Sequence, residues 1–188
     1  LAKKFNIKRV IYASSIYSTS AQGGFYRCSK RAAEDYIQEY YKRYGITFTI
    51  LRYGSLYGLR ATKSNGIFRV IHKAVQSNSV QYKGSKSSVR KYIHVVDAAK
   101  ATADSISSRY KNKYVNILGT KSYKVIDLLK LISKLVKSKK RIRFLDKKYL
   151  GHYVKSPKKL KIEKGKNFKF KSFVKLEIGI KEIIKSLS

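Results

Sequence analysis

Residues 9–30 read RVIYASSIYSTSAQGGFYRCSK, and this stretch decides the fold expected for the chain. With Lys8, its first part is a short run of β-branched and aromatic residues that predicts a buried strand over 8–13. Serines, a threonine and two glycines follow, so the strand should end in a loop. From Cys28 to Tyr44 there is no proline or glycine, apolar residues recur at helical spacing, and Gly45 stands where a helix would end. A strand, a loop and a helix are therefore expected in this order.

The same alternation continues through the rest of the chain. Further strands are predicted over 46–53, 80–83, 92–95, 113–118 and 142–145, and further helices over 67–75, 97–106, 124–136 and 174–187. Asp97 is expected to cap its helix, Gly179 to interrupt the last helix, and residues 54–66 and 146–172 to be irregular. Alternating strands and helices predict an α/β domain with a mainly parallel sheet. Such sheets bind ligands at the carboxyl ends of their strands.

Composition and charge narrow the classes of function. The 188 residues include 44 Lys and Arg against 10 Asp and Glu, which gives a net charge of +34. Cys28 is the single cysteine, so a disulfide framework and a multi-cysteine zinc site are excluded. The histidines lack partners at ligand spacing, so no metal site is predicted. No apolar run is long enough to cross a membrane, and no secretion signal opens the sequence, which predicts a cytoplasmic protein.

Tyr26 and Lys30 are the first candidates for chemistry, because their spacing places both side chains on one face of the predicted helix. A lysine ammonium stabilises a neighbouring phenolate, so Tyr26 could act as a general acid and base. The spacing alone is weak, because the chain contains 16 tyrosines and many lysines. Ser14 and Ser15 end the preceding strand, where a hydroxyl can hydrogen-bond the same substrate oxygen. The alternative is that both serines only cap a turn.

Four blocks, in this order, resemble the NAD-dependent epimerase/dehydratase family, the extended short-chain dehydrogenase/reductases. They are RVIYASS (9–15), YRCSK (26–30), RYGSLYG (52–58) and RKYIHVVDAA (90–99). The family's patterns are V-x-x-S-S, Y-x-x-x-K, R-x-x-N-x-Y-G-P and R-D-Y-I-H-V-x-D-A-A. The third block departs from its pattern, with Ser55 in place of asparagine and Leu59 in place of proline. The stretch between the serines and Tyr26 is also shorter than in many members.

The resemblance implies catalytic roles for the residues that match the first two blocks. Tyr26 would be the catalytic acid and base, and Lys30 would support it and hold the nicotinamide ribose. Ser15, or otherwise Ser14, would orient the reacting hydroxyl or carbonyl of the substrate.

The other two blocks imply binding roles. Tyr53 and Gly54 would join Lys30 in binding the cofactor, for which NAD is expected and NADP stays open. Ser55 and Arg90 would bind the substrate, a nucleotide sugar, since a guanidinium suits its diphosphate. His94 is expected to be structural.

The family's N-terminal turn, G-x-x-G-x-x-G, has no counterpart in the sequence. In the family this turn cradles the cofactor's pyrophosphate. The chain, which begins at Leu1 without a methionine, is therefore interpreted as the C-terminal portion of such an enzyme, and weak binding of NAD is expected. The expected architecture is the second half of a Rossmann-type sheet over residues 1–60 and a smaller α/β substrate-binding part over 61–188.

Partners other than the substrate follow from the family and from the charge. Family members often form homodimers through the YxxxK helix, and the tyrosines at 36, 40, 41 and 44 could serve that interface or the core. Basic residues between Lys134 and Lys171 alternate with aromatic residues, as in nucleic-acid-binding proteins: Phe144, Tyr149, Tyr153, Phe168, Phe170 and Phe173. The net charge would in any case favour non-specific binding of polyanions. A basic nucleic-acid-binding protein and a non-catalytic remnant of the family fold are therefore the alternative functions.

Overall fold

The computed structural model describes residues 1–145 and 164–187. The strands are β1 (Arg9–Ser15), β2 (Thr47–Tyr53), β3 (Ser55–Tyr57), β4 (Gln81–Lys83), β5 (Val89–Arg90), β6 (Tyr92–His94), β7 (Lys113–Ile117), β8 (Tyr123–Lys124), β9 (Arg143–Leu145) and β10 (Lys166–Asn167). The helices are α1 (Gly24–Tyr44), α2 (Gly66–Ser77), α3 (Val95–Asp104), α4 (Val125–Leu135) and α5 (Leu176–Leu187). Two short 3₁₀ turns cover Ile16–Thr19 and Ser108–Tyr110.

The main sheet has four strands in the order β1-β2-β7-β10, and every pair in it is parallel. Helices connect its strands, so the predicted α/β fold with a parallel sheet is confirmed. The register aligns Ser14 with Arg52 and Ser15 with Tyr53, which brings the ends of β1 and β2 side by side. Among the described residues only β2 pairs with β1, so the other edge of β1 is open there.

The two faces of this sheet are covered by different helices, as the alternation of side chains along a strand requires. Phe48 and Ile50 of β2 lie in a core cluster against which Ile37 of α1 packs. Leu51, the residue after Ile50, belongs instead to a cluster with Ala101 of α3. The helices α1 and α3 thus cover opposite faces of the sheet.

A second apolar core lies among α2, α4 and α5, where Ile71, Leu129 and Ile180 are fully buried. The prediction that Gly179 interrupts the terminal helix is wrong, because α5 runs through it without a break. A Cβ at Gly179 would lie 2.8 Å from atoms of both Tyr57 and His94. This glycine therefore serves a close approach of α5 to β3 and β6 and does not end the helix.

Tyr57 gives a stability prediction that does not depend on any ligand. Its side chain is buried, and its hydroxyl has no hydrogen-bond partner among the described residues. Burial, and after it the charge of Asp97, raises the pKa of Tyr57 well above the ordinary value for tyrosine. Since an unpaired buried hydroxyl costs about 1–3 kcal/mol, Tyr57→Phe should leave the free energy of unfolding at neutral pH unchanged or increase it.

The same variant should also change the alkaline limb of the stability curve. Above pH about 10 the unfolded chain loses the Tyr57 proton while the folded chain keeps it, so the wild type loses stability as the pH rises. Tyr57→Phe removes this contribution, which urea unfolding at neutral and alkaline pH would measure. A loss of more than about 1 kcal/mol at neutral pH would show that the hydroxyl is paired.

The helix α1 begins earlier than predicted, at a pair of glycines. The helix begins at Gly24, four residues before the predicted Cys28, so Tyr26 lies in its first turn. Gly23 has a φ of +124°, and a Cβ there would lie 2.9 Å from the Tyr17 ring. The backbone can turn from the 3₁₀ segment into the helix at this point because the residue is glycine. At the other end, Gly45 caps the helix as predicted, with its N–H donating to the Tyr41 carbonyl.

The start of α3 differs from the prediction. Asp97 does not cap this helix; the Val96 N–H donates instead to Nδ1 of His94, 3.4 Å away. The Asp97 carboxylate accepts the Val174 N–H at 2.9 Å and so connects α3 with the segment that leads into α5. Capping by Asp97 was predicted from residue type alone, whereas this contact spans 77 residues of sequence.

Two predicted irregular segments contain short strands. β3 lies within 54–66 and pairs with β6, and β10 lies within 146–172 and pairs with β7. Residues 146–163 of that second segment, which include Tyr149, His152 and Tyr153, lie outside the described residues. The domain boundary at residue 60 stays a prediction; the sheet that β1 begins includes β7 and β10 from beyond it.

Candidate active site

Lys30 connects the first turns of α1 with the end of β1. Its Nζ donates a hydrogen bond to the Ala13 carbonyl at 2.9 Å, one residue before the serine pair. The same nitrogen lies 5.1 Å from the centroid of the Tyr12 ring and 5.8 Å from that of the Tyr26 ring. The ammonium is therefore beside the phenol with which the sequence paired it, at the carboxyl end of the parallel sheet.

Tyr26 is open to solvent and does not belong to the core. Its side chain is 53% exposed, and its ring meets the edge of the Tyr17 ring with centroids 6.2 Å apart. Tyr17 itself is held against the turn at Gly23. A phenol in this position can be reached by a ligand, which a general acid and base requires.

The two serines that end β1 have different hydrogen-bond partners. Ser15 Oγ accepts the Tyr17 N–H at 3.2 Å and so caps the 3₁₀ turn. Both serines are buried, and Ser14 donates its hydroxyl to Oε1 of Glu34 at 2.5 Å. Since a serine hydroxyl has one hydrogen to donate, that of Ser14 is used within the protein, whereas the bond that Ser15 makes does not use its own. The arrangement therefore favours Ser15 over Ser14 for contact with a substrate.

Two charged residues next to this site were not predicted from the sequence. Glu34 and Arg52 are each about 1% exposed and form a two-pronged ion pair, with Nε donating to Oε1 at 3.0 Å and Nη2 to Oε2 at 2.6 Å. Two signals in the sequence point to them. Glu34 follows Lys30 by four residues on the same helix face, and Arg52 is the one charged residue of β2.

The loop after β2 is fixed by backbone and side-chain hydrogen bonds. Tyr53 shares a hydrogen bond of 2.5 Å with Thr102 on α3. The Gly54 N–H donates to the Ile117 carbonyl at 3.0 Å, and the Ser55 N–H to the Lys91 carbonyl at 3.2 Å. The loop thus begins beside the end of β1, as expected for neighbouring parallel strands, and continues into β3.

Arg90 is a buried residue. It lies on β5, opposite Tyr123 of the antiparallel β8, is 7% exposed and donates to the Val89 carbonyl at 3.0 Å. It is therefore not one of the many surface charges. That it faces Tyr26 across a cleft stays a prediction.

The aromatic residues of the basic segment are engaged in packing where the structure describes them. Phe168, Phe170 and Phe173 pack against the core cluster on the α3 side of the sheet, and Phe144 packs against the second core. They form no open row of rings on which bases could stack. Within 1–145 and 164–187 there is also no group of three His, Cys, Asp or Glu side chains that could hold a metal ion, and no helix has the length and apolarity that crossing a bilayer requires.

Comparison with known protein families gives a match over most of the chain. Residues 1–117 match the NAD dependent epimerase/dehydratase family. This range includes Tyr26, Lys30, both serines and Arg90, and it confirms the resemblance stated above.

Individual relatives agree with this match. A putative UDP-glucose 4-epimerase of Methanocaldococcus jannaschii is 26% identical over 98% of this chain. The fold is similar to that of the UDP-glucuronic acid 4-epimerase of Bacillus cereus, solved with UDP-glucuronic acid and NAD, with a TM-score of 0.81 at 17% identity over 99% of this chain. It is also similar to the dTDP-glucose 4,6-dehydratase of Bacillus anthracis, solved with NAD, with a TM-score of 0.77 at 18% identity over 98% of this chain.

These proteins are longer than the chain described here. The 188 residues span 64% of the M. jannaschii relative and 63% of each of the two Bacillus enzymes.

Proposed function

Because this chain belongs to the NAD-dependent epimerase/dehydratase family, we propose that it supplies the acid–base residues of an NAD-dependent enzyme that epimerises, dehydrates or reduces a nucleotide sugar. The position of Lys30 carries this proposal. Its ammonium lies beside the Tyr26 ring and on the Ala13 carbonyl, directly before the serine pair. The names of the relatives above place UDP- or dTDP-sugars among their substrates, which supports the same class here.

The chemistry proposed for this site is proton transfer at a sugar hydroxyl. The Tyr26 phenolate would accept the proton of that hydroxyl, and the phenol would return it to the carbonyl oxygen in the reverse direction. The Lys30 ammonium, 5.8 Å from the centroid of the Tyr26 ring, would place a positive charge beside the reacting groups. Ser15 would donate its hydroxyl to the same substrate oxygen and hold it within reach of Tyr26.

The described residues suit the nicotinamide end of NAD. Of the three N–H groups of Lys30, one bonds the Ala13 carbonyl, so two remain for hydroxyls of the ribose. Tyr53 and Gly54, at the start of the neighbouring loop, would line the same end of the cofactor. When bound there, NAD would exchange two electrons with the sugar carbon. NADP stays open as the alternative cofactor.

Ser55 and Arg90 are proposed to bind the substrate. Arg90 is buried, and a guanidinium in a buried setting forms strong two-pronged hydrogen bonds with phosphate oxygens. Ser55 follows Gly54 and begins β3. Its side chain is shorter than that of the asparagine which the family has at this position. The substrate contacts at this position would therefore be fewer.

The 188-residue chain should bind NAD more weakly than micromolar. A glycine-rich turn at a helix N-terminus offers oriented N–H groups to the pyrophosphate, and the sequence contains no such turn. Titration calorimetry on this chain would measure the affinity. Micromolar binding would contradict the view that these residues hold only the nicotinamide end.

A homodimer through α1 is proposed from the exposure of its tyrosines. Tyr36, Tyr40 and Tyr44 recur every four residues and are 69%, 48% and 41% exposed, so they do not belong to the core. A row of exposed aromatic rings on one helix face is typical of an interface.

A cytoplasmic location also stays a prediction.

The assay of nucleotide sugars separates this function from the alternatives. The full-length protein, encoded by the reading frame that contains these residues, should convert at least one of UDP-glucose, UDP-glucuronic acid and dTDP-glucose when NAD is supplied. No conversion of these or related nucleotide sugars would favour the non-catalytic remnant. The net charge of +34 would still give salt-dependent binding of polyanions, which is not evidence of a dedicated nucleic-acid site.

A further inference from the structure

A hydroxyl, a carboxylate and a guanidinium from three elements meet beneath the candidate active site. Ser14 ends β1, Arg52 lies on β2 beside it in register, and Glu34 lies on α1 above both. Oε1 of Glu34 accepts hydrogen bonds from both Ser14 and Arg52, and Oε2 accepts a second one from Arg52. We refer to these three residues as the buried cluster.

The buried cluster shares a helix face with the proposed catalytic residues. Tyr26, Lys30 and Glu34 follow one another at intervals of four residues, so they lie along one side of α1. The other acids of this helix, Asp35 and Glu39, have side chains that are 52% and 66% exposed and pair with cations of α1 itself. Glu34 is therefore the acid of α1 that reaches the sheet.

Stability alone does not explain a buried ion pair. Removing two charges from water costs about as much as their attraction returns, and apolar replacements of similar size are often neutral or stabilising. A two-pronged pair does, however, have strict geometry, because the planar guanidinium must face the carboxylate. Arg52 is fixed further by the Tyr114 ring, whose centroid lies 4.3 Å from its Cζ. These contacts join α1 to β1 and β2 and restrict how the helix can rotate or shift along the sheet.

We propose that Ser14, Glu34 and Arg52 are positioning residues, which hold α1 so that Tyr26 and Lys30 lie at the end of β1. Ser14 holds the helix through its bond to Glu34, and the hydroxyl hydrogen of Ser15 remains for a bond to the substrate. Lys30 depends on the same placement, since its bond to the Ala13 carbonyl requires the helix at this height above the strand. The inference rests on the proposed function for its effect on turnover, but the placement of α1 can be tested without any ligand.

The test compares Glu34→Gln with Glu39→Gln, the same change at an exposed position of the same helix. Glu34→Gln should lower the turnover of the full-length protein about tenfold to a hundredfold, the scale expected when reacting groups are misplaced by about an ångström. It should also speed hydrogen exchange of the amides over residues 24–34. Glu39→Gln should change neither measurement.

A double variant separates positioning from stability. Glu34→Leu together with Arg52→Leu should keep or raise the melting temperature and still show the slow turnover and the fast exchange of the first turns of α1. Wild-type turnover and wild-type exchange in this double variant would overturn the proposal. So would unchanged exchange in Glu34→Gln. If the wild type converts no nucleotide sugar, the proposed function fails, and the exchange comparison still decides whether the buried cluster positions the helix.

Discussion

Replacing Tyr26 by phenylalanine should lower the turnover of nucleotide sugar in the full-length protein by at least about 10²-fold, the usual scale of a positioned proton transfer. The ring and its contact with Tyr17 remain, and only the ionisable hydroxyl is removed. Affinity for the substrate should change little, because the lost interaction acts mainly in the transition state. Steady-state rates at saturating NAD, with kcat and KM determined separately, would measure this.

Tyr40→Phe is the matched control for this experiment. It removes the same kind of group, a phenolic hydroxyl, from the same helix. Tyr40 is exposed and is well separated in sequence from the serine loop. Its turnover should equal that of the wild type. Equal losses at positions 26 and 40 would mean that both tyrosines act through structure, and Tyr26 would lose its catalytic role.

Lys30→Ala should also lower turnover. The substitution removes the ammonium beside the Tyr26 ring and with it a group proposed to hold the nicotinamide ribose. It also removes the donor of the Ala13 carbonyl, so the end of β1 should become less well ordered. Steady-state rates of the full-length protein at saturating NAD would measure the loss.

Lys42→Ala provides the control for Lys30. Lys42 lies on the same helix, is 65% exposed and pairs with Glu39. Such exposed ion pairs contribute little to the stability of a protein. The turnover of Lys42→Ala should equal that of the wild type. Wild-type turnover in Lys30→Ala would show that the ammonium has no part in the reaction.

The part of the fold that carries the candidate site could be predicted from local patterns. β1 and β2 are short apolar runs with clear ends, and the C-terminus of α1 is signalled by Gly45. The helix start was less predictable, because Gly23 and Gly24 are typical of a loop. Only the conformation of Gly23, with its positive φ, shows how the chain turns directly into the helix.

Contacts between distant parts of the sequence were not predictable from local patterns. β3 and β10 have three and two residues, which is too short for any periodicity, and they exist because a partner strand lies beside them. The capping role assigned to Asp97 was wrong for the same reason, since the Val174 N–H competes for its carboxylate. The pairing of Glu34 with Arg52 likewise joins a helix to a strand; local patterns single out each residue but do not show that the two meet.

Tyr26 is proposed to perform acid–base chemistry on a nucleotide sugar in the presence of NAD. A single-turnover experiment tests it most directly: the full-length protein is loaded with NAD, mixed with UDP-glucose, UDP-glucuronic acid or dTDP-glucose, and followed by the fluorescence of NADH. We expect NADH to form with at least one of these sugars in the wild type and in Tyr40→Phe, and to form at least about 10²-fold more slowly in Tyr26→Phe. NADH formation at the same rate in Tyr26→Phe and in the wild type would contradict this assignment.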